Sequence, residues 1–188
     1  FTFGLMRRAV LVAAPVLALL LGGCGTTVDG VAVPAGSAGT THVSAPPTVP
    51  PTPTAAKEGT CPFLPASEVS YDTGERVGTV KVSDVPAGQP YPMCFFYRAS
   101  NGSLEVTARV YTGSAAVATA LVNQAAPIAT SNPASQPAGW TGGAQASKNG
   151  AVYAVAKGGT AIVVTSNRTF TVYCRQITNA VAGYLQSH

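Results

Sequence analysis

The sequence is poor in the side chains from which catalytic and metal sites are built. It has 2 histidines, His42 and His188, and only 7 aspartates and glutamates in 188 residues. Charged residues make up 10% of the chain, too few for a nucleic-acid binder that relies on phosphate contacts. The motifs of serine hydrolases, zinc proteases and phosphate-binding glycine loops are missing as well. We therefore expect no enzyme, no catalytic residue, no cofactor, no metal and no nucleic-acid partner.

One tripeptide, Asp72-Thr73-Gly74, matches the active-site motif of aspartic proteases. Those enzymes need two such aspartates that share a proton. This chain has one copy of the motif, preceded by Ser70-Tyr71 where a turn is expected, and a turn that contains Gly74 is the simpler interpretation. A cell-envelope hydrolase with an atypical site around Asp72 is kept as the alternative function.

Charge is also missing from Ala9 to Leu21, an apolar run that follows Arg7-Arg8 and precedes Gly22-Gly23-Cys24. A basic start, an apolar run and small residues before a cysteine are the pattern of a bacterial lipoprotein signal peptide. The run is too short for a membrane span, which needs about 20 apolar residues.

This pattern predicts that residues 1–23 are a signal peptide, that synthesis starts at Met6, and that the sulfur of Cys24 carries lipid. Ordinary secretory cleavage nearby is the alternative. A lipidated Cys24 would hold the protein on the extracytoplasmic face of the cell membrane.

Residues 24–57 show no apolar periodicity and are rich in Thr, Pro, Gly, Ala and Ser, with proline pairs at Pro46-Pro47 and Pro50-Pro51. Such a segment buries too little surface to offset its ordering entropy, and its prolines favour an extended conformation. We predict a disordered stalk over residues 24–57 and a single folded domain over residues 58–188.

The chain has 4 cysteines, of which Cys24 is predicted to carry lipid. The other three would then lie in an oxidising compartment, where one pair can form. Cys61 opens the folded domain and Cys94 begins a predicted strand, so we predict a disulfide between them. Cys174 lies on the apolar stripe of a predicted helix, which favours a buried free thiol.

Segments in which apolar and polar residues alternate, joined by turn residues, predict an antiparallel sheet. In the clearest hairpin, strands at 94–99 and 104–111 are joined by Asn101-Gly102, which predicts a tight turn with two positive-φ residues. A second hairpin, 151–156 and 160–166, turns at Gly158-Gly159. Weaker strands are predicted at 76–84 and 144–147.

Helices are predicted at 66–71, at 117–125 after an N-cap at Ser114, and at 169–186, where the apolar residues form one stripe. The order is a short helix, three strands, a helix, two or three strands and a closing helix. This order predicts an α+β domain, an antiparallel β-sheet with two helices packed on one face.

Trp140, the only tryptophan, lies between Gly139 and Gly142-Gly143 in a loop predicted over residues 128–143. An exposed tryptophan in such a loop is a typical anchor for a partner. The alternative is that its indole folds back over one end of the sheet. Tyr153, Arg168 and Tyr173 are further candidate partner-binding residues, with the same structural alternative.

Every charged side chain after Glu105 is positive; these residues are Arg109, Lys148, Lys157, Arg168 and Arg175. One-sided charge of this kind marks either a surface for anionic lipid headgroups and cell-wall polymers or a solvated face.

Several segments resemble a family of actinobacterial cell-envelope lipoproteins of unknown function. The resemblance runs over about residues 61–185 and is carried by Cys61-Pro62-Phe63-Leu64, Cys94-Phe95-Phe96, Gly139-Trp140-Thr141-Gly142-Gly143, Ala151-Val152-Tyr153-Ala154-Val155 and the closing helix from Ile177 to Leu185. None of these motifs is catalytic. In that family the first two cysteines recur together, which agrees with the pairing of Cys61 and Cys94. The element order is also similar, by analogy, to the PsbP/Mog1-like fold, which implies no activity.

The predicted anchor, the stalk and the lack of catalytic groups favour a non-catalytic binding or scaffolding module in the cell envelope. Its partner is expected to be an envelope protein, a lipid or a glycan.

Overall fold

The computed structural model describes residues 45–188, and the predicted signal peptide and Cys24 lie outside this range. The elements in chain order are β1 (Lys57–Glu58), α1 (Ala66–Thr73), β2 (Val77–Val82), β3 (Cys94–Arg98), β4 (Leu104–Thr112), α2 (Ala115–Ala125), β5 (Asn132–Ala134), β6 (Thr141–Ser147), β7 (Gly150–Lys157), β8 (Thr160–Ser166) and α3 (Thr171–Ser187). The strands form one sheet in the order β1-β2-β3-β4-β8-β7-β6-β5, with every neighbouring pair antiparallel. The predicted α+β class is confirmed. None of the helices described is both long enough and apolar enough to cross a membrane.

Several local predictions are confirmed because they rest on short-range chemistry. Ser114 caps α2, and its hydroxyl oxygen accepts a hydrogen bond from the backbone N–H of Val117 at 3.3 Å. Gly158-Gly159 joins β7 to β8, and Gly158 has the positive φ of 56° that a tight hairpin turn requires. The stripe of α3 buries Cys174, as its spacing predicted.

The turn between β3 and β4 is longer than predicted. The strands end at Arg98 and resume at Leu104, so residues 99–103 form the loop in place of a two-residue turn. Gly102 supplies a positive φ of 66°, while the Asn101 side-chain oxygen accepts the backbone N–H of Ser103 at 3.0 Å. The side chain of Asn101 therefore stabilises a wider loop by bonding the backbone two residues on.

The two longer helices lie on opposite faces of the sheet, whereas the sequence predicted both on one face. Alternate strand residues divide between two clusters: Tyr153 and Ile162 pack with α3, and Ala154 and Ala161 pack with α2. The prediction was wrong because β7 and β8 carry apolar side chains at successive positions, so both of their faces need cover. We call these faces the α3 face and the α2 face; α1 shares the core of the α3 face.

The folded domain also begins earlier than predicted. The stalk was expected to extend to residue 57, yet β1 pairs with β2, and Val49 packs against the α2-face cluster. Residues 45–56 have no regular secondary structure, in keeping with their prolines. We call residues 49–53 the strap, because they lie across the α2 face and contact the side chain of Arg109 on β4.

The Cys61–Cys94 disulfide is present, with the two Cα atoms 5.7 Å apart, and it joins the chain before α1 to β3. Cys174 is free and buried, as predicted. Burial raises the pKa of the Cys174 thiol to about 12, so the group is neutral and packs as a small apolar side chain.

The double variant Cys61→Ala/Cys94→Ala is expected to lower the free energy of unfolding. The disulfide links residues 33 positions apart in the sequence. In the chain-entropy model its loss should cost about 3 to 4 kcal/mol. Denaturant unfolding at neutral pH measures the change, and a reductant should produce the same loss in the wild-type protein but none in the double variant.

Cys174→Ala is the matched control, because it removes a buried thiol and keeps the disulfide. This variant should remain sensitive to reductant. A wild-type protein whose denaturant midpoint is unchanged after complete reduction would contradict the role given to the disulfide.

Candidate functional site

A groove lies on the part of the α2 face that α2 does not cover. Its floor consists of Thr107 on β4, Val152 on β7 and Thr165 on β8. These three residues line two adjoining cavities, one of about 590 Å³ and one of about 280 Å³. We call the two cavities together the groove.

About half of the residues that line the larger cavity have amide or hydroxyl side chains. These polar side chains include Gln145 and Ser147 of β6, Asn149 in the turn after it, Thr130 before β5 and Asn132 at the start of β5. On the floor, the hydroxyls of Thr107 and Thr165 share a hydrogen bond of 2.7 Å. Such a lining offers hydrogen-bond donors and acceptors without net charge.

The smaller cavity lies between α2 and the strap. Its walls are formed by Leu121 and Gln124 of α2 together with Met93 and Thr52. The side chain of Arg109 on β4 lines it as well. This part of the groove is mostly apolar and contains one cationic side chain.

Arg109 is buried, with 8% of its surface exposed. Its Nη2 donates to the carbonyl oxygens of Pro50 and Pro51, each at 3.1 Å. Within residues 45–188 no carboxylate pairs with it, since the ion pairs of that range belong to Arg98 and Arg168. Burial lowers the pKa of Arg109, because desolvation disfavours its charged form.

Glu105 lines the larger cavity and is 1% exposed. One of its carboxylate oxygens accepts from Nε of Arg98, and the other accepts from Nε of Arg168 at 2.8 Å. Arg168 also donates to Glu75 at 2.9 Å, and the hydrogen bond to Glu105 is the main cause of its raised pKa. This network ties β3, β4 and the end of β8 to the residues after α1. Arg168 therefore has a structural role, which is the alternative that the sequence analysis gave to partner binding.

Trp140 is 4% exposed and belongs to the core of the α3 face. The hypothesis of an exposed anchor is therefore wrong, and the indole packs inward. The residues after it form β6, and a Cβ on Gly143 would lie 2.6 Å from the carbonyl oxygen of Ala126. Gly143 thus lets the end of α2 approach the sheet, which explains glycine near Trp140 without a binding loop.

The two candidate tyrosines also lie away from the groove. Tyr153 is 4% exposed, and its hydroxyl both donates to the carbonyl and accepts from the N–H of Gln136, each at 3.1 Å. Tyr173 is half-buried on α3, with the Arg168 guanidinium 5.8 Å from its ring centre. None of Trp140, Tyr153, Arg168 and Tyr173 lines the groove.

Asp72 lies in the last turn of α1, outside the groove. Its Oδ2 is buried without a hydrogen-bond partner, and desolvation, followed by the charge of Glu68, raises its pKa. In the part of the chain that the structure describes, no three His, Cys, Asp or Glu side chains gather as a metal site would require.

Sequence reasoning missed Arg109 and the strap. A strand in which polar and apolar residues alternate typically exposes its polar side, but Glu105, Thr107 and Arg109 of β4 are all buried. The sequence does contain one signal. Apolar residues occupy every other position of β4, and an uncharged threonine lies between the two charged residues. That signal does not say that a proline segment 59 residues earlier covers the polar face.

A family model described as a domain of unknown function (DUF2020) matches residues 42–186. This span includes the strap, the groove, α1, α2 and all of α3 except its last residue. A comparison with curated proteins finds no match to this chain.

Glu105→Gln is expected to lower the free energy of unfolding by about 2 to 4 kcal/mol, because it leaves two arginines beside a neutral amide. Glu75→Gln is the matched control, since its side chain is 36% exposed and pairs with the same Arg168. The control should lose less than about 1 kcal/mol. Urea unfolding at pH 7 measures both, and equal losses would show that Glu105 does not hold the network together.

Proposed function

The chain belongs to the DUF2020 family, and from that premise we propose that it is a non-catalytic binding module anchored by lipid to the outer face of the cell membrane. The anchor in this proposal is Cys24, supported by the pattern of residues 6–24. We further propose an actinobacterial envelope lipoprotein with a PsbP/Mog1-like architecture, on the resemblance of residues 61–185.

The observation that supports a binding role is the groove with a buried arginine that has no carboxylate partner within residues 45–188. Proteins rarely bury a charge without an opposite charge beside it, because desolvation is costly. A cation kept in a cavity of this kind is typical of ligand sites, where a few placed polar groups fix the orientation of the ligand.

The lining of the groove favours binding over catalysis. The hydroxyls of Thr107 and Thr165 bond to each other, and no histidine, cysteine or aspartate stands beside them in the described lining. The one acid in the lining, Glu105, is held by two arginines. A nucleophile needs a base within hydrogen-bond reach, and this arrangement supplies none. Asp72 lies outside the groove, so the groove lends no support to the hydrolase alternative.

Site-specific crosslinking of the full-length protein in bacterial cells tests the proposal. A photoreactive amino acid replaces Gln124, which lines the groove, or Thr119, which is exposed on the same helix and does not line it. We expect adducts from position 124 at several times the yield from position 119. The variant Cys24→Ser should abolish incorporation of a labelled fatty acid and move the protein from the membrane fraction to the soluble fraction.

Equal adduct yields at positions 124 and 119 would contradict the groove as the binding surface. A Cys24→Ser variant that keeps the fatty-acid label would contradict the anchor.

A further inference from the structure

The guanidinium of Arg109 has donors that the strap does not use. An arginine side chain carries five N–H groups. Both of its described hydrogen bonds come from Nη2, so the N–H groups on Nε and Nη1 have no partner among residues 45–188. The same side chain lines the smaller groove cavity and a further cavity of about 50 Å³ that Pro50 and Pro53 of the strap also line.

The acceptors that Arg109 does have are neutral. Nη2 donates to two proline carbonyls. Prolines have no N–H group to continue a helix or sheet ladder, so these carbonyls have no helix or sheet partner. A carboxylate or phosphate oxygen is a stronger acceptor for a guanidinium than a carbonyl oxygen, and it matches the planar fork of donors. The pocket is therefore better suited to an oxyanion than to the strap alone.

The groove beyond Arg109 indicates what such an anion is attached to. The hydroxyls of Thr107 and Thr165 form the floor, and the larger cavity presents Gln145, Ser147 and Asn149. Uncharged amide and hydroxyl groups bind hydroxyl-rich molecules by hydrogen bonding. The one acid in the described lining, Glu105, is neutralised by its two arginines and does not repel an anion strongly.

Resting on the proposed binding function, we propose that the groove binds an oxyanion carried on an uncharged, hydroxyl-rich body such as a sugar. Arg109 holds the carboxylate or phosphate, and the body lies along the Thr107–Thr165 floor toward Gln145 and Asn149. Under this proposal, one of the positively charged residues after Glu105, namely Arg109, binds the anion.

The experiment is a titration of the full-length protein with glucuronate, glucose 6-phosphate and glucose, in a non-ionic detergent without a sugar headgroup and at constant ionic strength. Nuclear magnetic resonance follows the Nε–Hε signal of Arg109, and calorimetry gives the dissociation constants. At least one of the two anions should saturate the Arg109 signal and bind at least tenfold more tightly than glucose. If glucuronate binds and glucose 6-phosphate does not, the anionic group of the ligand is a carboxylate. If only glucose 6-phosphate binds, it is a phosphate.

Arg109→Gln should weaken binding of the anion at least tenfold, and Arg109→Lys should give a smaller loss, because it keeps the charge and loses the fork. Arg76→Gln is the matched control, since Arg76 is exposed, lies outside the groove and carries the same charge. The control should bind within twofold of the wild type.

The proposal is overturned if neither anion binds saturably, if glucose binds as tightly as both anions, or if Arg76→Gln weakens binding as much as Arg109→Gln. These results are distinguishable from failure of the binding function itself. If position 124 forms adducts but neither anion binds, the protein is still a binding module, and its ligand belongs to another chemical class.

Discussion

The arrangement of this domain depends on the fact that β7 and β8 bury side chains on both faces. Tyr153 and Ile162 point to one face, and Ala154 and Ala161 point to the other. A sheet with two apolar faces is stable only if each face is covered. α3 and α1 cover one, and α2 covers the other over β6, β7 and β8. The rest of the α2 face is left to the strap and the groove.

The arginines of this domain that are not exposed are of two kinds, those that pair with a carboxylate and one, Arg109, that has no such partner within residues 45–188. Arg98 and Arg168 share the carboxylate of Glu105, so burial of that charge is compensated and the network joins four segments. Arg109 lies on the same face of the sheet as Thr107 but meets only proline carbonyls. Its charge stabilises the fold less than a paired charge would, and this difference is the physical basis for assigning it to a ligand.

The elements that the sequence predicted are those fixed by neighbouring residues. The cap at Ser114, the Gly158-Gly159 turn and the burial of Cys174 each depend on contacts within a few positions or on one helical stripe. The face on which α2 packs depends on the whole sheet, and no local period encodes it. The consecutive apolar residues of β7 and β8 indicate that both faces need cover, but they do not say which helix covers which face.

The groove was less predictable than the fold, for the same reason. Arg109 and Pro50 lie 59 residues apart, and composition alone predicted Pro50 to be disordered. Trp140 showed the same kind of error, because it is buried and the glycine at 143 is explained by the close approach of β6 to α2. Long-range contacts decided both positions, whereas residue type had suggested a loop in each case.

The central claim is that Arg109 is present for a ligand and contributes little to stability. The most direct test is the free energy of unfolding of Arg109→Met, because methionine keeps an unbranched apolar stem and removes the charge. The loss of the hydrogen bonds to the strap should be largely offset by relief of desolvation, so the account predicts a change within about 1 kcal/mol. A loss of more than about 3 kcal/mol, or a variant that does not fold, would contradict it by showing that the arginine holds the domain together.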